Sequence, residues 1–345
     1  MSRLSTGALT LFAAAVLVSS VQAQTVEQFY KGRNVNLLIP SAPGGINDLA
    51  SRLVARHLGR FIPGQPNVVP QNLPGTAGTI LLNRLYNNTE KTGDTIAFVE
   101  RASPQLAFQG DPNAKFDPLK FTWLGSLSSY EKDAYLLTIM ARSPVKTVDD
   151  LKKGGAQIHL SAMTPGTTNF IFAYLARDVL NLNISVVRGY TGAAPMFLAM
   201  QTGEVDGMVV GLGAMKAGQA ALWNNKEVRP LIQFARATRS PDLPDIPTGR
   251  ELAPNDGARA LIEFAELPFF MALPFAAPPD LPADRAKALQ DAFMKMTGDA
   301  TYQDEATKLS IELSPIDGAA VRNLLARAAA TPRALVDEYV KLVSQ

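Results

Sequence analysis

Apolar residues fall along this chain in short runs that stop abruptly. "NLLIP", "NVVP", "DTIAFVE", "AQIHLSAM", "ISVVRGY", "VDGMVVGL" and "VRPLIQFA" are rich in β-branched residues. Most are followed by a break of small or turn-forming residues: "SAPGGIND", "LPGTAG", "RASP", "TPGTTN" and "TGAAP". Helical spacing then begins, as in "LASRLVARHLGR", "TILLNRLYNN", "FIFAYLARDVL", "MFLAMQTGE" and "GAMKAGQAALWNN". Such alternation of short runs with helical patterns predicts βα units on parallel sheets.

The helical segments carry their own signals. Leu49, Leu53, Val54, His57 and Leu58 share one face of the first such helix, with Arg52, Arg56 and Arg60 opposite. "TVDD" at 147–150 predicts a capping box before "LKKGG", and Thr331-Pro332 predicts a cap with proline opening the last helix. "SSYEKDAYLLTIMARSPVKT" predicts an extended crossing between two bodies, and "LPFFMALPFAAPPDLP" a second long apolar run ending in prolines. Beyond it only helices are expected, with Leu289, Phe293 and Met296 in phase. The expected organisation is a first lobe from 24–125, a second from 126–261, and a return to the first over 262–345 with C-terminal helices.

The N-terminus changes the picture of location. Arg3 precedes the apolar "ALTLFAAAVLVSS" and then "VQA". A charged start, an apolar core and a small-x-small site predict a signal peptide over 1–23, cleaved after Ala23, and export to the periplasm. Its removal takes away one charge, Arg3, and leaves 32 Lys and Arg against 31 Asp and Glu. That balance argues against nucleic acid and against a polybasic membrane contact.

Composition narrows the chemistry further. The 345 residues are 47 % hydrophobic and 19 % charged, an ordinary globular balance. The absence of cysteine excludes zinc thiolates, iron–sulfur clusters and thiol nucleophiles. The two histidines, His57 and His159, read as structural, as do Trp123 and Trp223, and no metal-ligand spacing or cofactor is expected. No G-x-S-x-G, Walker A or G-x-G-x-x-G motif occurs, and "GLGAMKAG" has the wrong spacing.

What remains is the loops. Ligands of open α/β sheets sit at the carboxyl ends of parallel strands. Helices that begin there present unpaired N–H groups and a partial positive charge, which suit an anion. "SAPGGIND" and its counterparts from a facing lobe are thus candidates for holding a small anion through the main chain. Asp48 could equally cap its own helix, and "TTN" of "TPGTTN" could be an ordinary cap.

On these residues the chain resembles the Bug family, the extracytoplasmic substrate-binding proteins of tripartite tricarboxylate transporters. Pro43, Gly44, Gly45 and Asp48 match its PGGxxD pattern, and Asn72, Pro74, Gly75 and Gly78 its N-x-PG-x-x-G loop. "VVRGYTGAAPMFLAMQTGEVDG" and "SPDLPDIPT" are similar to later family stretches. The resemblance implies an α/β, two-lobed periplasmic-binding-protein fold of the type II Venus-flytrap kind, with a parallel-rich sheet in each lobe. It implies a monomer, not an enzyme, that closes on a small carboxylate or dicarboxylate and delivers it to membrane permease subunits. The implied ligand contacts are Ser41, Ala42, Pro43, Gly44, Gly45, Asp48, Gly78 and Ser103 in the first lobe. In the second they are Gly166, Thr167, Thr168, Asn169 and Asp206. "TPGTTN" stands where many members carry Gly-Ser, and Arg188 precedes the Gly-Tyr, so the distal end of the ligand is left open; Arg101 and Arg188 could pair with a distal carboxylate, with a surface-exposed arginine the favoured alternative for each. An exported enzyme acting on a small anion, and a solute sensor docking on a receptor kinase, are the alternative functions.

Overall fold

The computed structural model describes residues 24–75, 78–152 and 154–345; the expected signal peptide lies outside the described residues. In chain order the strands are β1 (Asn34–Ile39), β2 (Asn67–Asn72), β3 (Thr95–Phe98), β4 (Thr122–Ser126), β5 (Tyr135–Met140) and β6 (Ile158–Ala162). They continue with β7 (Ile184–Arg188), β8 (Gly207–Gly211), β9 (Val228–Phe234), β10 (Pro274–Ala277) and β11 (Ile316–Asp317). Two sheets result, ordered β11-β4-β10-β3-β1-β2 and β7-β6-β8-β5-β9.

Each sheet has a parallel set, as the alternating pattern predicts. β1 runs parallel to β2 and β3, and β6 runs parallel to β7 and β8. The inner strands β3 and β8 are buried along their whole length, which explains their continuous apolar runs. Pro70 sits in β2 at a sheet edge, where a missing donor is tolerated.

Antiparallel strands fill the remaining places. β10 lies between β3 and β4 and pairs antiparallel with both, and β5 lies antiparallel between β8 and β9. The segment expected as an extended crossing therefore contains a central strand, and the crossing itself is shorter, 127–134. The "TVDD" stretch forms a single 3-10 turn at Asp149–Leu151 rather than a helix, with Asp150 accepting from the Lys146 and Thr147 N–H groups. Pro332, expected as the first helical residue, is instead the cap of the last helix, Arg333–Val343, which starts one residue later than predicted.

Both crossings lie at the same edges. β4 leaves the first sheet at Ser126, opposite Pro274 where β10 begins. β5 enters the second sheet at Tyr135, opposite Gly211 where β8 ends and Phe234 where β9 ends. The carboxyl ends of the parallel strands of the two sheets therefore face each other across the join. The crossings are also tied together: Leu127 N–H donates to the Leu273 carbonyl (3.0 Å) and Ala272 N–H to that of Ser128 (2.9 Å). Tyr130 and Ala235, one on each crossing, have left-handed φ angles of 62° and 60°.

Packing fixes this arrangement. Helix Ile46–Leu58 buries Leu53, Val54, His57 and Leu58 against the first sheet, together with Phe98, Phe275 and Phe293. His57 is enclosed, with Nε2 3.0 Å from Glu305 Oε1 and its ring edge-on to Tyr302. Helices Ala283–Thr297 and Gly318–Ala329 pack on β4, while the last helix touches helices Ser103–Gln109, Thr168–Tyr174 and Asp256–Glu266. An aromatic group of Tyr130, Tyr135, Phe172, Phe234 and Phe269 closes the join between the sheets.

Candidate functional site

In the first lobe the chain leaves β1 through Pro40 and Ser41, exposes Ala42–Gly45, and enters helix Ile46–Leu58. Gly45 is the cap and offers no side chain. Leu49 N–H is the first to close a helical bond, onto the Gly45 carbonyl at 2.9 Å. The N–H groups of residues 46–48 thus have no helical acceptor and a positive dipole end behind them. Gly44 has φ 96°, which a side chain disfavours. Gly45, at φ −80°, is ordinary extended backbone, and a Cβ there would meet open space.

Asp48 does not face that space. It is 2 % exposed, and its carboxylate accepts from Gly44 N–H (2.9 Å), Arg52 Nε (2.9 Å) and Asn72 Nδ2 (2.8 Å). Asn72 Nδ2 also donates to the Ser41 carbonyl, and Arg52 Nη2 donates to Asn72 Oδ1. Burial alone would raise the Asp48 pKa, but the Arg52, Asn72 and Gly44 hydrogen bonds outweigh it and hold the group at about 2. Asp48 is thereby a brace for the loop. The ligand contact implied by the resemblance is replaced by a positioning role, since its oxygens are already engaged.

Two further loops join the first at this edge. Gly78, φ 85°, precedes helix Thr79–Asn87, and a Cβ on it would stand 2.9 Å from Ser103 Oγ and 3.1 Å from Glu100 Cβ. Only glycine fits where these loops touch. Ser103 is buried at the start of helix Ser103–Gln109. Glu100 accepts from Asn47 Nδ2 at 2.8 Å, and its burial pushes its pKa up against the pull of Arg101 and that hydrogen bond. Ser41 Oγ and Thr79 Oγ1 are buried with no hydrogen-bond partner among the described residues. An unmade buried hydrogen bond is costly and needs an explanation. Thr79 was not among the sequence candidates, because a threonine at a helix start looks like any other.

The second lobe supplies a matching edge. After β6 come Met163–Thr167, with Gly166 at φ 81°, and then helix Thr168–Tyr174. Thr167 Oγ1 bonds the Thr164 carbonyl (2.7 Å) and Asn169 Oδ1 (3.0 Å), and Asn169 Oδ1 also accepts from Met163 N–H. These two side chains shape the loop, while the Thr168 hydroxyl keeps no hydrogen bond among the described residues. Helix Ala193–Thr202 starts at Gly192, again without a side-chain cap. Helix Leu212–Gly218 differs: Asp133 Oδ1 accepts from Gly213 N–H at 3.0 Å and occupies its start.

Asp206 is not brought to this edge. It precedes β8, where its N–H donates to the His159 carbonyl (2.8 Å) and its carboxylate accepts from the His159 N–H (2.7 Å). His159 is near the beginning of β6, four residues before Met163, or about 13 Å along a strand. Asp206 thus clamps the far end of the parallel pair. Arg188 is exposed and donates to the Gln345 carbonyl at 2.5 Å.

The helix starts divide into two kinds. Thr25, Thr248, Asn255, Asp299 and Asp317 cap their helices with side-chain oxygens. The helices starting after Gly45, Gly78, Thr167 and Gly192, all at strand ends facing the other lobe, have none. Uncapped starts elsewhere include those at Pro282 and Pro332. The join thus carries uncapped helix starts and the Ser41 and Thr79 hydroxyls, an arrangement suited to an acceptor with several lone pairs. The buried hydroxyls of Thr92, Thr138 and Tyr302 also have no partner among the described residues.

The model of the tripartite tricarboxylate transporter family receptor, TctC, matches residues 51–340. The chain belongs to this family. TctC proteins are receptors of transporters rather than enzymes. A TctC solute-binding protein from Polaromonas superposes with TM-score 0.69 at 18 % identity, over 90 % of this chain and 99 % of that one. MatC from Rhodopseudomonas palustris with bound malate gives 0.52 at 19 % identity, over 90 % and 99 %. An R. palustris protein with adipate gives 0.55 at 20 %, over 91 % and 98 %. A Cupriavidus necator protein, described as a UPF0065 protein in the gbd 5' region, is 24 % identical over 87 % of this chain and 85 % of its own. The two-lobed α/β architecture expected from the residues is that of the TctC fold. Among the described residues no helix is long and apolar enough to cross a membrane, and no cluster of His, Asp and Glu could hold a metal.

Proposed function

We propose that this TctC protein is a periplasmic receptor that captures a small carboxylate or dicarboxylate between its lobes and delivers it to a membrane permease. The observation that carries the reading is the set of uncapped helix starts at Gly45, Gly78, Thr167 and Gly192, with the orphan Ser41 and Thr79 hydroxyls beside them. A carboxylate accepts several hydrogen bonds at once, and charge-assisted bonds to main-chain N–H groups are strong where water is excluded. Malate in MatC and adipate in the second R. palustris protein support the ligand class. The exposed loops on both sides favour capture by lobe closure about the paired crossings. Cleavage after Ala23 would release residues 24–345 as the working protein.

Calorimetry and thermal shift on residues 24–345 test this reading, with malate, adipate and other small carboxylates as probes. A ligand at 100 times its Kd should add about 2.7 kcal/mol of stability. The diamide or dimethyl ester of each binder is the control. Tight binding of the neutral form would overturn the carboxylate reading, and an unchanged radius of gyration with saturating ligand would overturn closure. Reconstituted uptake with the permease tests delivery.

A further inference from the structure

Arg101 follows β3 directly after Glu100, in the loop that meets the helix start at Gly45. Its guanidinium carbon stands 4.2 Å from the centre of the Phe269 ring. Phe269 in turn packs on Tyr130, Tyr135 and Phe172, and Phe172 belongs to the helix that begins at Thr168. The charge therefore lies at the base of the join, between the edges of both lobes. The ring covers one face of the fork and leaves its N–H edge for an acceptor.

Among the described residues no protein acceptor meets that edge, unlike those of the other partly buried arginines. Among the described residues Arg52, Arg177, Arg229, Arg236, Arg250 and Arg285 are the other arginines that are not fully exposed, and each donates to a protein oxygen. Among the described residues Arg101 has no hydrogen bond from its side chain and no carboxylate within ion-pair distance. Glu100, beside it in the chain, feels its charge without a side-chain hydrogen bond between them, and both Glu100 and Asp133, which like Arg101 acts on Tyr130, accept from other donors. Glu100 accepts from Asn47 and from the Arg101 main-chain N–H, and Asp133 accepts from Gly213 and Ala134. A half-buried guanidinium with five unused donors matches the two oxygens of a carboxylate.

We propose that Arg101 receives a second carboxylate of the solute, so that the receptor selects dicarboxylates over monocarboxylates of the same carbon count. This rests on the carboxylate reading above and adds the residue that sets the number of charges. Arg101 anchors the distal group, and the main-chain donors of the glycine loops hold the proximal one.

The test is calorimetry with paired probes: succinate against butyrate and adipate against hexanoate, with the wild type, Arg101→Gln and Arg101→Lys. For at least one pair, the wild type should bind the dicarboxylate tenfold or more tightly than its partner. Arg101→Gln should bring that ratio close to one while leaving the monocarboxylate Kd within about twofold. Arg101→Lys keeps the charge without the fork and should retain only part of the ratio. It also serves if the Gln variant does not fold. A ratio unchanged in both variants overturns the proposal, because a packing role for Arg101 on Phe269 would weaken both probes alike. Monocarboxylates bound as tightly as dicarboxylates by the wild type overturn it too, and leave the carboxylate reading standing. Binding of neither class overturns both.

Discussion

Asp48 accepts the main-chain N–H of Gly44 at 2.9 Å, from a position one turn inside the helix that this glycine precedes. The bond turns a buried carboxylate into the fastener of an exposed loop. Asp48→Ala would leave Gly44, Arg52 and Asn72 short of an acceptor, at about 1–3 kcal/mol for the unmade bonds. The expected result is a lower melting temperature together with weaker solute binding. A loop that kept full affinity without Asp48 would show that the bracing is not needed.

The same residue gives a pH dependence. Its folded pKa, at about 2, lies below the ordinary carboxylate value of 3.8. The ionised form is therefore the one the fold favours. Its contribution to stability is complete above about pH 4 and disappears as the pH falls toward 2. Melting curves of the wild type and Asp48→Asn should lie apart at neutral pH and converge in that window. Parallel curves down to pH 2 would contradict the assignment.

Gly44 and Gly45 should respond differently although they are neighbours. Gly44→Ala forces a side chain into left-handed backbone and should cost about 1–2 kcal/mol of stability. Gly45→Val meets neither strain nor a clash with the protein, so it should fold normally. It places a branched group where the solute must approach, and binding should fall tenfold or more. Unchanged affinity in a folded Gly45→Val protein would reduce the loop to a turn.

Thr79 offers an opposite pair of signs. Its buried hydroxyl has no partner among the described residues. Thr79→Val keeps the shape and removes the unpaired group, so the melting temperature should hold or rise. If the hydroxyl serves the solute, affinity should fall by about tenfold, the size of one good hydrogen bond of ~1.4 kcal/mol. Loss of stability without loss of binding would point to a structural hydroxyl.

Asp206→Ala should do the reverse. It removes the acceptor of the His159 N–H at the far end of the second sheet. Thermal stability should drop while the Kd for any bound carboxylate stays within about twofold. A large loss of affinity in a folded Asp206→Ala protein would place this residue in the binding process after all.

Much of the fold was legible because each parallel strand hands over to its helix through small residues, and that local punctuation survives in sequence. β5 and β10 were harder. "YLLTIM" and "LPFAA" are apolar runs without turn signals that announce a direction, and their antiparallel places depend on partners far along the chain. The loops after β1 and β6 could be recognised as candidates, yet their sequence does not say which side chains turn inward. Asp48 and Asp206 look alike as acids near glycines; only pairing with Gly44 and with His159 separates a loop brace from a strand clamp. Arg101 and Arg188 were equal candidates in the sequence; only the Gln345 contact of one and the lack of a side-chain partner for the other, among the described residues, separate them.

The two kinds of helix start set a limit on anyone wishing to harden this protein. Adding a serine or aspartate at an uncapped helix start is a routine stabilising change, worth about 1 kcal/mol over alanine and a few tenths over glycine. Here the most inviting positions are Gly45 and Gly192. An oxygen placed there would claim the very N–H groups that face the opposite lobe. Stability gained at those two sites is subtracted from the room left for a guest, whereas a change at Pro282 or Pro332, outside the join, carries no such exchange.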